Sequence, residues 1–349
     1  MQKTMNAVVY YAPNDVRIEQ VPIPDCGDGE IRVKVDACAV CGSDLKAYRF
    51  GNPRIKPPLV IGHEFTGIVE TIGKHVDGFL LGDRVVMAVA VSCGACYYCR
   101  QGWPNLCAES AVMGFGYPGG MAKYVTIPAK AVRNGHVVKV PQSIAPEYAA
   151  LAESVGCVVN AMENCQVREN DTVVVIGAGT MGMINACAAR EFGAKKVILV
   201  NRSETRLQRA KLFGFDLLVH SDTQDVAPTI LELTGGVGAD VVIATAPAAD
   251  TQELALELVR KRGTVCLYAS LAVGQHILSL DSRKIHYGEV RVVGTSDCTA
   301  RQVEKAVSLL VDRKIPAEKL VTNILPLDQV LRAFELMQRG EALRVVLKP

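Results

Sequence analysis

The sequence lacks the features that mark membrane proteins and nucleic-acid-binding proteins. Its 349 residues are 49% hydrophobic and 21% charged, with a formal net charge of only +2. No segment approaches the roughly 20 consecutive apolar residues that a membrane-spanning helix requires. No basic run is interleaved with aromatic residues, so the sequence does not predict the positive electrostatic potential that attracts a nucleic acid. We therefore expect neither a membrane nor a nucleic acid as a partner.

The amino terminus has little in common with a signal peptide. It is polar over residues 1–6 and leads directly into a strand-like apolar run at 7–11, without an apolar core followed by a small-residue cleavage site. We therefore expect a cytoplasmic protein. In that compartment its 12 cysteines are expected to be reduced thiols or metal ligands rather than disulfides.

The chain has no internal repeat, and its length predicts two domains. Up to about residue 141, short β-branched runs alternate in polarity and are bounded by Gly, Pro and Asp. This pattern predicts antiparallel strands in a distorted β-barrel. The predicted strands are 7–11, 16–21, 31–35, 66–70, 84–87 and 124–127. We expect this first domain, residues 1–154, to carry the metal and the substrate.

Beyond residue 154 the pattern changes to strands that alternate with helices, which predicts a doubly wound, six-stranded parallel sheet over residues 155–296. The predicted strands are 172–176, 196–200, 217–220, 241–245, 264–268 and 290–295. Helices are predicted at 180–192 and 203–213, with Ser203 as N-cap and Gly214 just past the end. The tail, 297–349, contains helices at 301–312 and 327–339 and strands at 321–324 and 344–347, and we expect it to return to the first domain.

Four cysteines occupy one short segment, at Cys93, Cys96, Cys99 and Cys107. Thiolates at this spacing can surround one Zn²⁺ tetrahedrally, which fills every coordination position and leaves none for a substrate. The pattern therefore predicts a structural zinc in a surface lobe at residues 91–110. A redox switch between paired thiols is the alternative, but four ligands and a cytoplasmic setting favour zinc.

A second metal site is predicted from separated residues, Cys41, His63, Glu64 and Glu153. A catalytic zinc needs few protein ligands and one open position, and Cys41 and His63 with a carboxylate satisfy that need. Either glutamate is a candidate ligand and catalytic residue, or a carboxylate beside the ligands that exchanges with water. Taken alone, His63 would more often be a hydrogen-bonded core histidine.

A glycine-rich loop, Gly177-Ala-Gly179-Thr180-Met181-Gly182, follows a Val-Val-Val-Ile strand and opens a helix. That context predicts a dinucleotide site, in which the glycines permit the tight turn, the close approach of the pyrophosphate and the packing of the helix. The phosphates would lie at the amino terminus of the helix. We also assign Thr245, at the end of a later predicted strand, to the cofactor site.

The end of the predicted strand 196–200, the second strand of the second domain, bears on the choice of nucleotide. An acidic residue there would accept hydrogen bonds from the adenosine ribose, but this chain has Asn201 and Arg202. A neutral amide beside an arginine tolerates or attracts a 2′-phosphate, which favours NADP over NAD. Arg206 is expected to assist. The alternative is that Arg202 is a solvated residue at the start of a helix.

Together, and in this order, the motifs resemble those of the zinc-containing medium-chain alcohol dehydrogenases. The resemblance rests on five segments: Cys41-Gly-Ser-Asp44, Gly62-His-Glu64, the four-cysteine lobe, the Gly177 loop and Gly238-Ala-Asp-Val-Val242. It implies a GroES-like β-barrel catalytic domain, a Rossmann domain, two zinc ions per chain and a homotetramer or homodimer. Liver-type members have cysteine where this chain has Glu153, and glutamate there is similar to the polyol (sorbitol-type) and threonine dehydrogenase branch.

The resemblance implies oxidation of a secondary alcohol, in particular a polyol or sugar alcohol, to the ketone by hydride transfer. Ser43 would relay the hydroxyl proton, unless it is only a turn serine, and Lys46 stands where the family commonly has a histidine. The alternatives are an L-threonine 3-dehydrogenase, an NADPH-dependent carbonyl reductase and a non-catalytic zinc- and nicotinamide-binding protein. Tyr48, Phe115 and Glu289 are pocket candidates by rough position, and packing or surface roles are as well supported for them.

Overall fold

Two different kinds of β-sheet organise the chain. A computed structural model describes residues 3–349 and divides the chain into two units. One unit contains the chain up to Cys157 together with Asp297–Pro349, and the other is Val158–Ser296. The tail beyond residue 296 therefore belongs to the first unit. No helix among residues 3–349 is both long enough and apolar enough to cross a bilayer.

The strands, in chain order, are β1 (Thr4–Ala12), β2 (Asp15–Pro22), β3 (Ile31–Ala39), β4 (Leu59–Val60), β5 (Glu64–Ile72), β6 (Arg84–Met87), β7 (Ala90–Val91), β8 (Ala111–Val112), β9 (Tyr124–Ile127), β10 (Val137–Val140), β11 (Thr172–Ile176), β12 (Lys196–Asn201), β13 (Leu217–His220), β14 (Ala239–Ala244), β15 (Val259–Leu267), β16 (Arg291–Gly294), β17 (Val321–Pro326) and β18 (Arg344–Lys348).

The α-helices are α1 (Gly42–Phe50), α2 (Tyr97–Arg100), α3 (Ala129–Arg133), α4 (Pro146–Ala149), α5 (Ala152–Cys165), α6 (Thr180–Glu191), α7 (Glu204–Ala210), α8 (Val226–Leu233), α9 (Ala249–Leu258), α10 (Ser282–Gly288), α11 (Ala300–Val311), α12 (Ala317–Leu320) and α13 (Val330–Gln338). Short 3₁₀ turns occur at Pro104–Leu106, Lys211–Phe213 and Leu327–Gln329.

The first unit contains a largely antiparallel, GroES-like β-structure, as predicted. Its largest sheet has the order β10-β6-β5-β3-β18-β17, with β9 also paired to β3. The β17–β18 ladder is parallel, and the other ladders of this sheet are antiparallel. Smaller sheets have the orders β2-β1-β4 and β7-β8. Alternate residues of β3, Ile31, Val33 and Val35, are buried in the core of this unit, as expected for a strand with one face on the core.

The second unit confirms the predicted Rossmann sheet. Its six strands have the order β13-β12-β11-β14-β15-β16, and every ladder between them is parallel. The central strand β11 is an apolar run of β-branched residues, which is typical of a strand that helices cover on both faces.

The boundaries of several helices and strands differ from the predictions, and α7 and β15 are two examples. The helix predicted at 203–213 is the α-helix α7 followed by a 3₁₀ turn, and Gly214 ends it with φ of 64°. Ser203 lies at the N-cap, but its side chain makes no capping hydrogen bond. Strand β15 begins five residues before the predicted position, at Val259, and its register with β14 shifts near Val241.

Candidate active site and metal centres

The ladder between β3 and β5 brings the first group of candidate residues together. Ala39 is paired with Glu64 in this antiparallel ladder, so the residues just past the end of β3 lie beside the start of β5. Cys41 is the N-cap of α1 and lies two residues after the end of β3. The Cys41, His63 and Glu64 side chains each offer a ligand atom, and these atoms all lie within 4.8 Å of one another.

His63 is held from both sides of its ring. Its Nδ1 lies 3.3 Å from Oδ1 of the fully buried Asp44, and its Nε2 lies 3.3 Å from the Ser43 Oγ. Burial opposes protonation, but the charges of Asp44 and Cys41 outweigh it, so the pKa of His63 lies well above the usual 6.5. A carboxylate on one ring nitrogen orients a histidine whose other nitrogen binds a metal. The sequence reasoning included Asp44 in a motif but gave it no role.

Glu64 is neutralised by groups that the sequence reasoning missed. The Arg344 Nη1 lies 2.9 Å from the Glu64 Oε2 and donates to Oε1 at 3.0 Å. The Ser154 hydroxyl donates to the same Oε1 at 2.6 Å, and the Arg344 Nη2 donates to Ser154 Oγ at 3.0 Å. Arg344 also donates to the Val40 carbonyl at 3.0 Å. The Glu64 carboxylate therefore has a fixed, charge-compensated orientation.

Glu153 lies in a neighbouring group rather than in the Cys41 group. Among residues 3–349, its carboxylate clusters with the thiols of Cys157 and Cys298, again within 4.8 Å, and the Cys157 Sγ donates to Glu153 Oε1 at 3.2 Å. Burial raises the pKa of Glu153 to about 7, with His63 lowering it and Glu64 raising it. Glu153 is thus electrostatically coupled to the Cys41 group, although its nearest ligand atoms are thiols.

The four cysteines of the predicted lobe converge on one point. Sulfur–sulfur distances are 3.5 Å for Cys96–Cys99, 3.9 Å for Cys93–Cys99 and 3.9 Å for Cys96–Cys107. Four sulfurs bound to one tetrahedral zinc at about 2.3 Å would be separated by about 3.8 Å. Backbone N–H groups of Cys99 and Ala108 lower the pKa of Cys96 to about 6. Backbone N–H groups also lower the pKa of Cys93, whereas burial raises the pKa of Cys107 to about 11. The structure therefore provides an all-sulfur set at the spacing of a tetrahedral zinc site.

The glycine loop has the geometry that dinucleotide binding requires. Gly177 has φ of 114°, and a Cβ on Gly182 would lie 1.7 Å from the Gly177 carbonyl oxygen. The space at Gly179 is open, since a Cβ there would meet only the Arg206 Nη1 at 4.0 Å. The Thr245 hydroxyl donates to the Gly177 carbonyl at 3.1 Å, so Thr245 supports the loop.

The remaining cofactor candidates lie around this loop. Thr180 and Met181 form the first turn of α6, whose N-cap is Gly179. The Asn201 Oδ1 accepts a hydrogen bond from the Ala178 N–H at 3.1 Å, so this amide fixes the loop from the end of β12. That contact gives Asn201 a structural role that the sequence reasoning did not foresee.

Two family models match this chain. Residues 27–142 match the alcohol dehydrogenase GroES-like domain, and residues 166–312 match zinc-binding dehydrogenase. The sorbitol dehydrogenase of Halalkalibacterium halodurans is 31% identical over 350 residues, which cover 99% of this chain and 98% of that protein. The chain belongs to the zinc-containing alcohol dehydrogenase family. An L-threonine 3-dehydrogenase from Pyrococcus abyssi is equally similar, 31% identical over 353 residues and 99% of both chains.

Solved structures of this alcohol dehydrogenase family have the same fold. A zinc-binding dehydrogenase from Sinorhizobium meliloti 1021, bound to NADP, has a TM-score of 0.93 at 28% identity and covers 100% of both chains. An alcohol dehydrogenase from Escherichia coli CFT073, complexed with NADH, has a TM-score of 0.90 at 29% identity and covers 99% of this chain and 100% of that one. The family thus includes structures with either nucleotide.

The donor sets of this alcohol dehydrogenase fit zinc at both places. The lobe offers four thiols at tetrahedral spacing, and the Cys41 group offers a thiol, an imidazole and a carboxylate.

The pocket candidates differ in placement. Phe115 is buried against the His63 ring at 5.2 Å, and Tyr48 stacks on Phe334. The Glu289 side chain is 72% exposed and pairs with Arg262, which favours its surface interpretation.

Proposed function

We propose that this protein is a zinc-dependent, NAD(P)-linked dehydrogenase that oxidises a secondary alcohol of the polyol or sugar-alcohol class to the ketone. The observation that carries the proposal is the mixed Cys41, His63 and Glu64 donor set, which differs in kind from the all-sulfur lobe. A mixed set with few protein ligands is typical of a catalytic zinc, and four thiolates are typical of a structural one. Relatives named sorbitol dehydrogenase support the polyol class.

Zinc held by Cys41 and His63 would act as a Lewis acid that lowers the pKa of a substrate hydroxyl. The role of Ser43 follows from its position, because its hydroxyl lies beside the His63 ring. We assign to Ser43 the transfer of the substrate proton away from the site. Asp44 holds the His63 ring, and its second carboxylate oxygen accepts from the Cys41 backbone N–H at 2.9 Å, so one buried carboxylate positions both metal-binding residues.

The two glutamates have different roles in this proposal. Glu64 lies within the Cys41 group, but Arg344 and Ser154 compensate its charge, so it adds little negative charge to the site. Burial raises the pKa of Glu153 to about 7, although the charge of His63 lowers it. A cation at the Cys41 group would favour its ionised form. We therefore propose Glu153 as the carboxylate that moves between metal and thiol partners, and Glu64 as the fixed one.

NADP is the preferred nucleotide in this proposal. Arg206 lies beside the open space at Gly179, and burial, followed by the charges of Arg209 and Arg202, lowers the pKa of Arg206. Clustered cations of this kind favour a bound phosphate, because its charge relieves their mutual repulsion. The preference rests on these arginines and not on the relatives, among which both NADP and NADH occur.

The test is to follow reduced-nicotinamide formation by absorbance with a panel of sugar alcohols, threonine and simple secondary alcohols, each with NADP and with NAD. Turnover of a sugar alcohol with NADP supports the proposal. Preference for threonine would replace it with a threonine 3-dehydrogenase, as the Pyrococcus abyssi relative is named. No turnover in zinc-replete protein would favour a binding role. A homodimer or homotetramer stays a prediction, which light scattering would test.

A further inference from the structure

The Glu153, Cys157 and Cys298 cluster contains more metal-binding chemistry than the proposed reaction uses. Glu153 and Cys157 are four residues apart on α5, so their side chains lie on the same face of this helix. Cys298 comes from the segment just before α11 and completes the group, with its Sγ 3.0 Å from where a Cβ on Gly156 would lie. The three ligand atoms lie within 4.8 Å of one another.

The distances suit a single cation. Two ligand atoms bound to one tetrahedral ion, at about 2.3 Å for sulfur and about 2.1 Å for oxygen, are separated by about 3.5 to 3.8 Å. The Cys157 Sγ and Glu153 Oε1 are 3.2 Å apart, so a small movement would admit an ion. Cys298 and Glu153 are buried, and Cys157 is half-buried.

The donor types select the kind of cation. Two thiolates and one carboxylate favour a thiophilic divalent ion such as Zn²⁺ or Cd²⁺ over Mg²⁺ or Ca²⁺. Binding would release the two thiol protons to the buffer, since only the thiolate is a metal ligand. Metal binding requires no oxidation or reduction, because Cys157 and Cys298 are free thiols and not a disulfide.

We propose that Glu153, Cys157 and Cys298 form a third cation site, for a thiophilic divalent metal, and that its occupation inhibits the enzyme. The inhibition rests on the proposed function, because it requires Glu153 to serve the Cys41 group as well. Glu153 is the only residue shared by the two roles. An ion bound by the two thiolates would also bind the Glu153 carboxylate. The electrostatic interaction of Glu153 with His63 and Glu64 would then be weaker.

The experiment titrates zinc-replete enzyme with Cd²⁺ in the presence of a phosphine reductant that does not bind metals. Bound cadmium and retained zinc are measured by elemental analysis after dialysis, together with the thiolate-to-cadmium charge-transfer absorbance. We expect one additional cadmium ion per chain with zinc retained. The Cys157→Ala and Cys298→Ala variants should each lose that ion and its absorbance. If either variant fails to fold, the serine substitution at the same position, Cys157→Ser or Cys298→Ser, replaces it.

A matched control is available in the second unit. Cys165 and Cys266 are another pair of buried cysteines in contact, but they belong to no metal-binding group among residues 3–349. Cys165→Ala should keep the additional cadmium. Equal cadmium binding by the wild type and the Cys157 and Cys298 variants would overturn the site, and so would cadmium uptake matched by loss of zinc.

Turnover measured in the same titration separates the two proposals. Loss of at least half of the activity as the additional cadmium binds, with no such loss in Cys298→Ala, supports inhibition through Glu153. Full activity with the third ion bound would overturn the inhibition but not the site. Absence of turnover at every cadmium level would count against the proposed function alone, because cadmium stoichiometry does not depend on it.

Discussion

Arg344 and Glu64 form an ion pair inside the first unit, with the Arg344 Nη1 2.9 Å from the Glu64 Oε2 and side-chain exposures of 2% and 0%. The two residues are 280 positions apart in the sequence and meet because β18 pairs with β3, which pairs with β5. Removing either partner would leave a charge buried without compensation. The ion pair therefore links the carboxyl-terminal strand to the candidate active site.

Arg344→Met should destabilise the protein strongly. Loss of one partner of a buried pair costs about 3–5 kcal/mol in the free energy of unfolding, which urea denaturation would measure. Arg332→Met is the matched control, because the Arg332–Glu335 pair is about half exposed and should contribute at most about 1 kcal/mol. Equal effects of the two substitutions would contradict this account of Arg344.

Cys99→Ser should remove the lobe zinc without removing the chemistry. We expect the zinc content to fall by one ion per chain and the free energy of unfolding to fall by more than about 2 kcal/mol, because metal binding to the native state is coupled to folding. The folded fraction should keep most of its kcat. Elemental analysis, urea denaturation and initial rates measure the three quantities. Loss of kcat in fully folded Cys99→Ser protein would argue against a structural site.

Arg206→Ala should weaken the preference for NADP. A lost charge-assisted contact to a phosphate costs about 1.5–3 kcal/mol, which corresponds to a decrease of roughly tenfold or more in kcat/KM with NADP. The value with NAD should change little. Lys211→Ala, which removes an exposed cation close to the end of the same helix, is the control. A parallel decrease with both nucleotides would show that Arg206 does not read the 2′-phosphate.

His136 should make the first unit sensitive to acid. Burial lowers the pKa of His136 from the usual 6.5, and its Nε2 accepts from the Ser92 N–H at 3.2 Å while Nδ1 donates to the Ala88 carbonyl at 3.1 Å. As the pH falls through about 6.5, His136 is therefore protonated in the unfolded chain but stays neutral in the native protein. The contribution of His136 to the free energy of unfolding is therefore complete above that pH, and it decreases as the pH drops towards the lowered native pKa.

The measurement compares urea denaturation of the wild type and His136→Gln at about pH 8 and about pH 5.5, on either side of the unfolded-state pKa. The variant should lose part of the acid-dependent destabilisation, whereas His276→Gln, at an exposed position, should not. Acid release of zinc from the lobe affects all three proteins and cancels in the comparison. An unchanged pH dependence in His136→Gln would contradict the assignment.

Much of the fold followed from local patterns. Strand 172–176 and the beginning of α6 were predicted correctly because a buried β-branched strand, a glycine turn and a helix are all local features. Helix α7 was predicted too long because its last turn is 3₁₀, and the apolar pattern does not distinguish that turn from an α-helical one.

The site was harder to predict where it depends on distant contacts. The role of Arg344 could not be inferred, since a basic residue at the start of a strand is usually exposed and its partner is set by strand order. Cys157 was not among the predicted metal ligands, although its spacing from Glu153 is visible in the sequence once a helix is assumed. Cys298 joins them only through the returning tail, which no local pattern specifies.

The central claim is that the Cys41 group holds the catalytic zinc and the four-cysteine lobe holds a separate one. The most direct measurement is zinc content and turnover of Cys41→Ser, with circular dichroism to verify folding. We predict a folded protein that keeps the lobe zinc and has lost its turnover by at least about a thousandfold, as expected when a metal supplies the Lewis acid. Near-normal turnover in a folded Cys41→Ser protein would contradict the account.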